Sequence, residues 1–443
     1  MERGQTPIAL SQNARLRYAI LFAGSFAQGF PIGLFFYAIP IWLASNQVSA
    51  TSIGLFVSAA TLPWTFKFFS GFLMDRFTFL PMGRRRIWLI GSQMSIVVAL
   101  IAAALLSPTT GQVVSLAAIA FSVNTLCSFQ DTAINGLAVD IVPDEERAQA
   151  NGFLLAGEAV GTAVGTILSG LLIASFGIAS AFIGMAIFVA IVLSFIVAVR
   201  ERPGERLLPW SEGDTWDQNA SQQAERWTHL LARVWRVMSE RNSVLLALAL
   251  GLYGVTVGLY MVIAPIIATN FAGWTDEGFA TLNGVAGLSA GLAGMLIFGA
   301  IVQRIGARLG RTLGMAFFTM AGLVLLATSS IWKAEYVFIG VIFLVFLSDA
   351  LMRVGAYVTA MRLCDSTGAA TQFALFLACA NSGVILSGIA VGVLDSLGGQ
   401  TLVLASASAA GAIATVIFWV IKLSPARTHD EIALLDERIS ESA

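Results

Sequence analysis

The 443-residue sequence is poor in charge, in cysteine and in histidine. Charged side chains make up 12% of it, about half the share usual in soluble domains. A chain with so little polar surface cannot face water on all sides, which excludes a soluble globular enzyme. The three cysteines, Cys127, Cys364 and Cys379, sit inside or at the ends of apolar runs, so a secreted disulfide scaffold is excluded as well. The two histidines, His229 and His429, fall in polar segments and suit neither a metal centre nor a proton relay at membrane depth. A net charge of −1 offers nucleic acid no footing. No phosphate-binding loop and no nucleophile elbow is present, and neither a cofactor nor a metal is expected.

Apolar residues supply 57% of the chain, and 42 glycines add to them. They come in runs of about twenty or more, the length that spans a bilayer as a helix, not in the short alternating segments of a β-barrel. The fold class expected is an all-α membrane protein of twelve transmembrane helices. The spans fall near 18–44, 52–73, 87–106, 112–140, 148–173 and 178–199, then near 243–269, 278–302, 312–331, 335–362, 369–394 and 399–423. The first follows Arg15 and Arg17, but it is too long for a signal peptide and is read as an uncleaved helix. The expected division is an N-terminal six-helix bundle at 1–199, a cytoplasmic linker at 200–242, a C-terminal bundle at 243–423 and a cytoplasmic tail at 424–443.

Basic residues set the orientation. With both termini in the cytoplasm, every Lys and Arg except Lys67, Lys333 and Arg353 falls in a cytoplasmic segment or helix end. Within the linker, Trp227, Leu230, Leu231, Val234 and Met238 form a helical stripe interleaved with Arg226, Arg233 and Arg236. A helix lying on the inner leaflet and an ordinary linker helix account for it equally well.

The halves resemble each other. Gly33-Leu34 and Pro40 match Gly258-Leu259 and Pro265 in spacing, and Gly71 and Arg76 match Gly299 and Arg304. Asp131 and Ile167-Leu168-Ser169-Gly170 match Asp349 and Ile385-Leu386-Ser387-Gly388 at one constant offset. Parallel six-helix repeats are the pattern of a rocking transporter, with its substrate between the halves near mid-membrane.

The loop after the second span reads Gly71-Phe-Leu-Met-Asp75-Arg76 and then Gly83-Arg84-Arg85-Arg86. This resembles the major facilitator signature loop and implies that fold. Gly71, Asp75, Arg76, Gly83, Arg84 and Arg85 are the expected gate: glycine for close helix approach, Asp75 to pair across the halves, arginines to anchor on lipid phosphate and helix ends. A plain positive-inside cluster is the blander reading. The second copy, Gly299, Gln303-Arg304 and Gly310-Arg311, has lost the acid. Phe26-Ala-Gln-Gly-Phe-Pro-Ile-Gly33, Pro63-Trp-Thr-Phe-Lys67, Ser128-Phe-Gln-Asp131, Val139-Asp140, Glu145-Glu-Arg147, Leu363-Cys-Asp365 and Ala370-Thr-Gln-Phe-Ala-Leu375 are similar to the AmpG-type permeases. That branch implies proton-driven import of anhydromuropeptides, and the wider family includes acetyl-CoA and siderophore carriers. Asn135 stands where many relatives carry a second acid.

Ionisable groups at membrane depth are functional candidates, because an unpaired charge there costs several kcal/mol. They are Lys67, Asp131, Glu158, Asp349 and Arg353. Asp349 and Arg353 lie one turn apart and can pair. Glu158 interrupts a Gly157/Gly161/Gly165 packing ladder for no packing reason. Lys67 either snorkels or pairs with an anion. Asp131, Glu158 and Asp349 are the proton-coupling candidates, with Asp131 and Glu158 favoured because no cation neighbours them in sequence. The expected substrate face comprises Gln28, Tyr37, Lys67, Gln130, Asp131, Asn135, Tyr253, Tyr260, Asp349 and Arg353, although any single tyrosine there is as well explained by packing.

The expected function is secondary active transport in a bacterial inner membrane: proton-coupled import of a bulky polar solute such as a muropeptide-like wall fragment. A siderophore or acyl-CoA-like solute is the alternative within the class, and a proton-driven exporter of drugs or metabolites the alternative outside it. Nothing marks a membrane enzyme. The expected partners are the solute, H⁺ and membrane lipid, with the chain a monomer.

Overall fold

The computed structural model describes residues 9–48, 50–217, 227–274, 276–333 and 335–422. Arg226, His429 and the tail expected at 424–443 lie outside the described residues. Among the described residues ten helices are long and apolar enough to cross a membrane. One of them, Ala369–Val420, holds two spans, because Gly398 and Gly399 leave helical geometry and Gly399 takes a φ of +60°. A further span is broken into two shorter pieces at Phe66–Lys67. The described membrane helices are therefore twelve.

In the first half they are α1 (Ala14–Leu43), α2 (Ala50–Thr65 and Phe68–Arg76), α3 (Arg86–Leu106), α4 (Val113–Ile141), α5 (Arg147–Phe176) and α6 (Ile178–Val197). In the second they are α7 (Arg241–Asn270), α8 (Asp276–Ala293 continued by Gly299–Ile305), α9 (Ala307–Ala327), α10 (Glu335–Leu363), α11 (369–397) and α12 (400–420). A linker helix, Trp227–Ser239, lies between the two bundles of six in the chain.

The internal repeat corresponds to one packing used twice. Gly29 and Gly33 of α1 press on the backbone of α5 at Gly161 and Gly165. In α7, Gly254 presses on the backbone of α11 at Ala380, and Gly258 presses on the Ser387 side chain and the backbone at Val384. Without a hydrophobic force between helices in lipid, such contacts depend on small residues that let backbones touch. The π-type turn at Gly294–Phe298 in α8 falls where the break at Phe66–Lys67 falls in its counterpart α2, and α1 carries a further π-type turn at Leu34–Ala38.

The expected basic side is one face of the bundle, and the two halves meet near it along two seams. On one, α2 and α4 meet α11: a Cβ on Gly71 would stand 2.7 Å from Thr371 Cα. On the other, α5 meets α8 and α10 through Ala148, Leu155, Val302, Val354 and Val358. Gly152 of α5 rests directly on the carbonyl of Gly294. The linker ties the first half together on this face. Glu201, fully buried, accepts from the backbone N–H groups of Arg84, Arg85 and Arg86 at 3.1–3.3 Å, placing its carboxylate at the N-terminus of α3.

Candidate functional site

The arginine-rich face is closed by a buried charge cluster at the first seam. Asp75, at the end of α2, accepts from Arg85 Nη2 at 2.7 Å and from Thr371 N and Oγ1 at 2.8 and 2.7 Å. One carboxylate thus reaches a guanidinium of its own half and the first turn of α11 in the other. Arg85 Nε donates to Asp140 at 2.8 Å, and Arg84 Nη1 donates to Ser366 O at 2.7 Å. Burial alone would push the Arg85 guanidinium down, but Asp140 and Asp75 outweigh it and hold the group above its ordinary value. For Arg84 burial wins and the group is lowered.

The arginines therefore anchor on protein and not on lipid phosphate as expected: Arg84, Arg85 and Arg86 are at most 2% exposed. Arg86 donates to the carbonyls of Val197 and Leu207, holding the end of α6. Arg311 does the same in the second half, donating to Phe418 O and Ile421 O at the end of α12. Arg76 stacks over Phe77 at 5.1 Å. Gly83 supplies the turn, with a φ of +95° beside Glu201. At the second seam the acid-less copy takes the opposite polarity. Gln303 Nε2 donates to Glu145 O at 2.6 Å, and Gly299 sits on Gln149 as Gly71 sits on Thr371.

The membrane-depth charges lie about ten residues further in, roughly 15 Å from this face at 1.5 Å per residue. They form two groups. In the first half, the break in α2 at Phe66–Lys67 turns Lys67 toward α4, where Nζ meets Asp131 Oδ2 at 2.8 Å. Both side chains are under 10% exposed, and Asn135 Nδ2 donates to the second oxygen of Asp131 at 2.8 Å. Phe373, Ala374 and Leu377 of α11 close over a small cleft beside the pair. Lys67 pairs with an anion and does not snorkel.

The second group spans the halves. Arg353 of α10 lies 3.6 Å from Glu158 of α5 and 3.9 Å from Asp349 one turn back on its own helix. Tyr253 of α7 donates its hydroxyl to Asp349 at 2.6 Å, and Arg353 Nε donates to Tyr357 Oη at 3.3 Å. Glu158, Arg353 and Asp349 keep 37%, 25% and 23% of their side-chain surface open, unlike the gate cluster below them. One guanidinium thus faces two carboxylates on opposite halves in a partly open layer.

The structure does not bring every expected residue to these groups. Gln130 is fully buried, and its amide donates to Gly24 O at 2.8 Å, so it joins α4 to α1 inside the first bundle. Tyr260 is 5% exposed and packs on Phe318 within the second bundle. Gln28 is buried on α1, whereas Tyr37, half-exposed on its π-type turn, lies close enough to Glu158 to feel its charge. The ranking of the acids also changes. Asp131 and Glu158 lack a cation nearby in sequence, yet each has one in space, 64 and 195 positions away in number. Sequence reasoning missed Thr371 and Asp140 as parts of the gate, and Glu201 as the acid that caps α3 beside it. The first two stood inside quoted motifs, and Glu201 had no signal beyond being an acid just past the end of a span.

The chain is similar to the anhydromuropeptide permease of Escherichia coli (strain K12), 28% identical over 408 residues that cover 89% of this chain and 77% of that one. Its fold matches a proton:xylose symporter, XylE, with a TM-score of 0.71 at 12% identity, covering 96% of this chain and 99% of that one. It also matches FucP in its outward conformation, with a TM-score of 0.69 at 11% identity, covering 92% and 99%. The Major Facilitator Superfamily model matches residues 21–388. With twelve membrane helices in two packed bundles and that match over most of its length, the chain belongs to the Major Facilitator Superfamily: it is a multi-pass membrane transporter of small-molecule solutes, not an enzyme.

Proposed function

We propose that the chain imports a bulky polar solute of the muropeptide class across a bacterial inner membrane, driven by protons, as a monomer. The solute class rests on the similarity to an anhydromuropeptide permease over 408 residues. Orientation rests on the arginines: the face that carries them lies in the cytoplasm, with both termini. The closed Asp75–Thr371 seam is then the cytoplasmic gate.

The observation that carries the coupling reading is Arg353 between Glu158 and Asp349. With the cytoplasmic seams closed, Glu158 takes a proton from the outer side and gives up its charge pairing with Arg353, which Asp349 keeps from one turn away on the same helix. α5 can then leave α10 and the cytoplasmic seams open. Glu158 releases its proton to the cytoplasm, and its carboxylate draws Arg353 back as the seams close. Asp349, held by Tyr253 and Arg353, is the switch partner, and Asp131 with Lys67 is the solute site, where Lys67 can exchange its carboxylate for one on a peptide-bearing solute.

The test is uptake of a labelled anhydromuropeptide by proteoliposomes under an imposed pH gradient or an imposed Na⁺ gradient. Accumulation should follow the pH gradient, and Lys67→Ala should abolish solute binding. Binding undiminished in that variant would remove the assigned solute site, and accumulation that follows Na⁺ would remove proton coupling.

A further inference from the structure

The linker helix carries more apolar surface than the protein uses. At 100° per residue its side chains divide into three sectors. Leu230, Val234 and Val237 are buried. Leu230 and Val234 pack on Phe72 of α2 and Leu375 of α11, so the helix lies across the seam between the halves, beside the gate. On one flank of that row Arg233 Nη1 donates to Thr367 Oγ1 at 3.1 Å, fixing the helix to the loop before α11. On the other flank stand Trp227, Leu231 and Trp235, at i, i+4 and i+8, with exposures of 42%, 51% and 75%. His229, Ala232 and Arg236 are exposed in the remaining sector.

An outward row of two tryptophans and a leucine is costly in water and suited to the headgroup layer of a bilayer, where indole rings concentrate. The row is continuous with the wall that α2 turns to lipid. Trp227 meets Phe77 edge-on at 5.6 Å, and Phe77, Leu73 and Phe69 are exposed along α2. Beside Phe77 an open groove of about 540 Å³ runs between Arg76, Phe79, Ile87 and Trp88, apolar along its walls with a guanidinium at its edge.

We infer that the linker helix is a clasp over the α2–α11 seam whose outer sector, Trp227, Leu231 and Trp235, is seated in phospholipid. Its inner row grips both halves while the gate is closed, and its outer row holds it at the membrane surface when they part. The occupant is phospholipid, because the row lies at the depth of the end of α2 and is joined to the lipid-facing wall through Phe77.

The experiment places a nitroxide at position 227, 231, 235, 229 or 236 of the full-length protein, in a background whose three cysteines are replaced and which retains uptake, in phosphatidylcholine nanodiscs. Collision with lipid-soluble oxygen should exceed collision with an aqueous nickel chelate at 227, 231 and 235, and the order should reverse at 229 and 236. Aqueous access at all five positions would overturn the proposal. Protection from both probes at 231 and 235 would also overturn it, since a protein would then cover the row. A second measurement needs no cysteine: brominated phosphatidylcholine should quench the tryptophan emission of the native chain by a larger fraction than that of Trp227→Phe/Trp235→Phe, and equal quenching would contradict lipid contact.

Discussion

Arg353 of α10 and Glu158 of α5 meet at 3.6 Å across the boundary between the two bundles, at mid-depth in the membrane. In the proposed cycle this pair parts when the arginine-rich face opens, because α5 and α10 separate there. Its partner Asp349 stays with Arg353 in either state, being one helical turn away. This inequality between the two carboxylates gives the coupling proposal its direction.

The gate should fail without its charge. In Asp75→Asn, Arg85 keeps only Asp140 in a fully buried site, and removing one partner of a buried pair costs about 3–5 kcal/mol. Solute binding measured by equilibrium dialysis should change less than threefold, whereas uptake should drop by tenfold or more. Normal uptake would remove Asp75 from the gate.

Glycines at the seams should resist enlargement on opposite sides of the same opening. A Cβ at Gly71 would press on backbone at Thr371, and one at Gly152 on the carbonyl of Gly294. Backbone cannot move aside cheaply, so Gly71→Ala and Gly152→Ala should each favour the state open at the arginine-rich face. Labelling of a cysteine introduced at Thr132, beside the Lys67–Asp131 cleft, by a reagent applied from that face should rise in both. Unchanged labelling would place the closing contacts elsewhere.

Lys67 and Asp131 should depend on each other. Both are nearly sealed from solvent, so Lys67→Ala or Asp131→Ala alone leaves an uncompensated charge and should destabilise by about 3–5 kcal/mol. The pair Lys67→Met/Asp131→Leu should recover much of that loss in a thermal melt while remaining inactive. Additive destabilisation would show that the two do not interact.

Glu201 should matter for stability and not for transport chemistry. Its carboxylate receives three backbone N–H groups at the start of α3, and Glu201→Gln keeps the shape but removes the charge that suits a helix N-terminus. A loss of about 1–2 kcal/mol should appear as a lower melting temperature, with the Michaelis constant for the solute unchanged. A variant with native stability would assign the cap to the backbone alone.

The fold was readable in the sequence because membrane spans are written in long apolar runs, and because arginines at alternate ends count the crossings. The breaks were less so. Nothing in Phe66-Lys67 announces that α2 loosens there, yet that break aims Lys67 at Asp131. Apart from Asp349 and Arg353, whose spacing gave their pairing, the site was legible as a set of residues and not as pairs. Asp131 and Glu158 seemed to lack cations because neighbours in sequence were the only ones visible; Lys67 and Arg353 reach them through the packing of other helices. Gln130 lies one position from Asp131, but one position is 100° around a helix, which turns it toward α1. The linker stripe was correct as a helix, but it merged two faces that packing separates: Leu230 and Val234 inside, Trp227 and Leu231 outside.

The measurement closest to the central claim is anhydromuropeptide uptake by proteoliposomes with an alkaline interior, comparing the native chain with Glu158→Gln. The native chain should accumulate solute under the pH gradient, indifferent to Na⁺. Glu158→Gln should still exchange labelled for unlabelled solute across the membrane but should no longer concentrate it. Accumulation by Glu158→Gln equal to that of the native chain would contradict the assignment of the coupling proton to the carboxylate that shares Arg353 with Asp349.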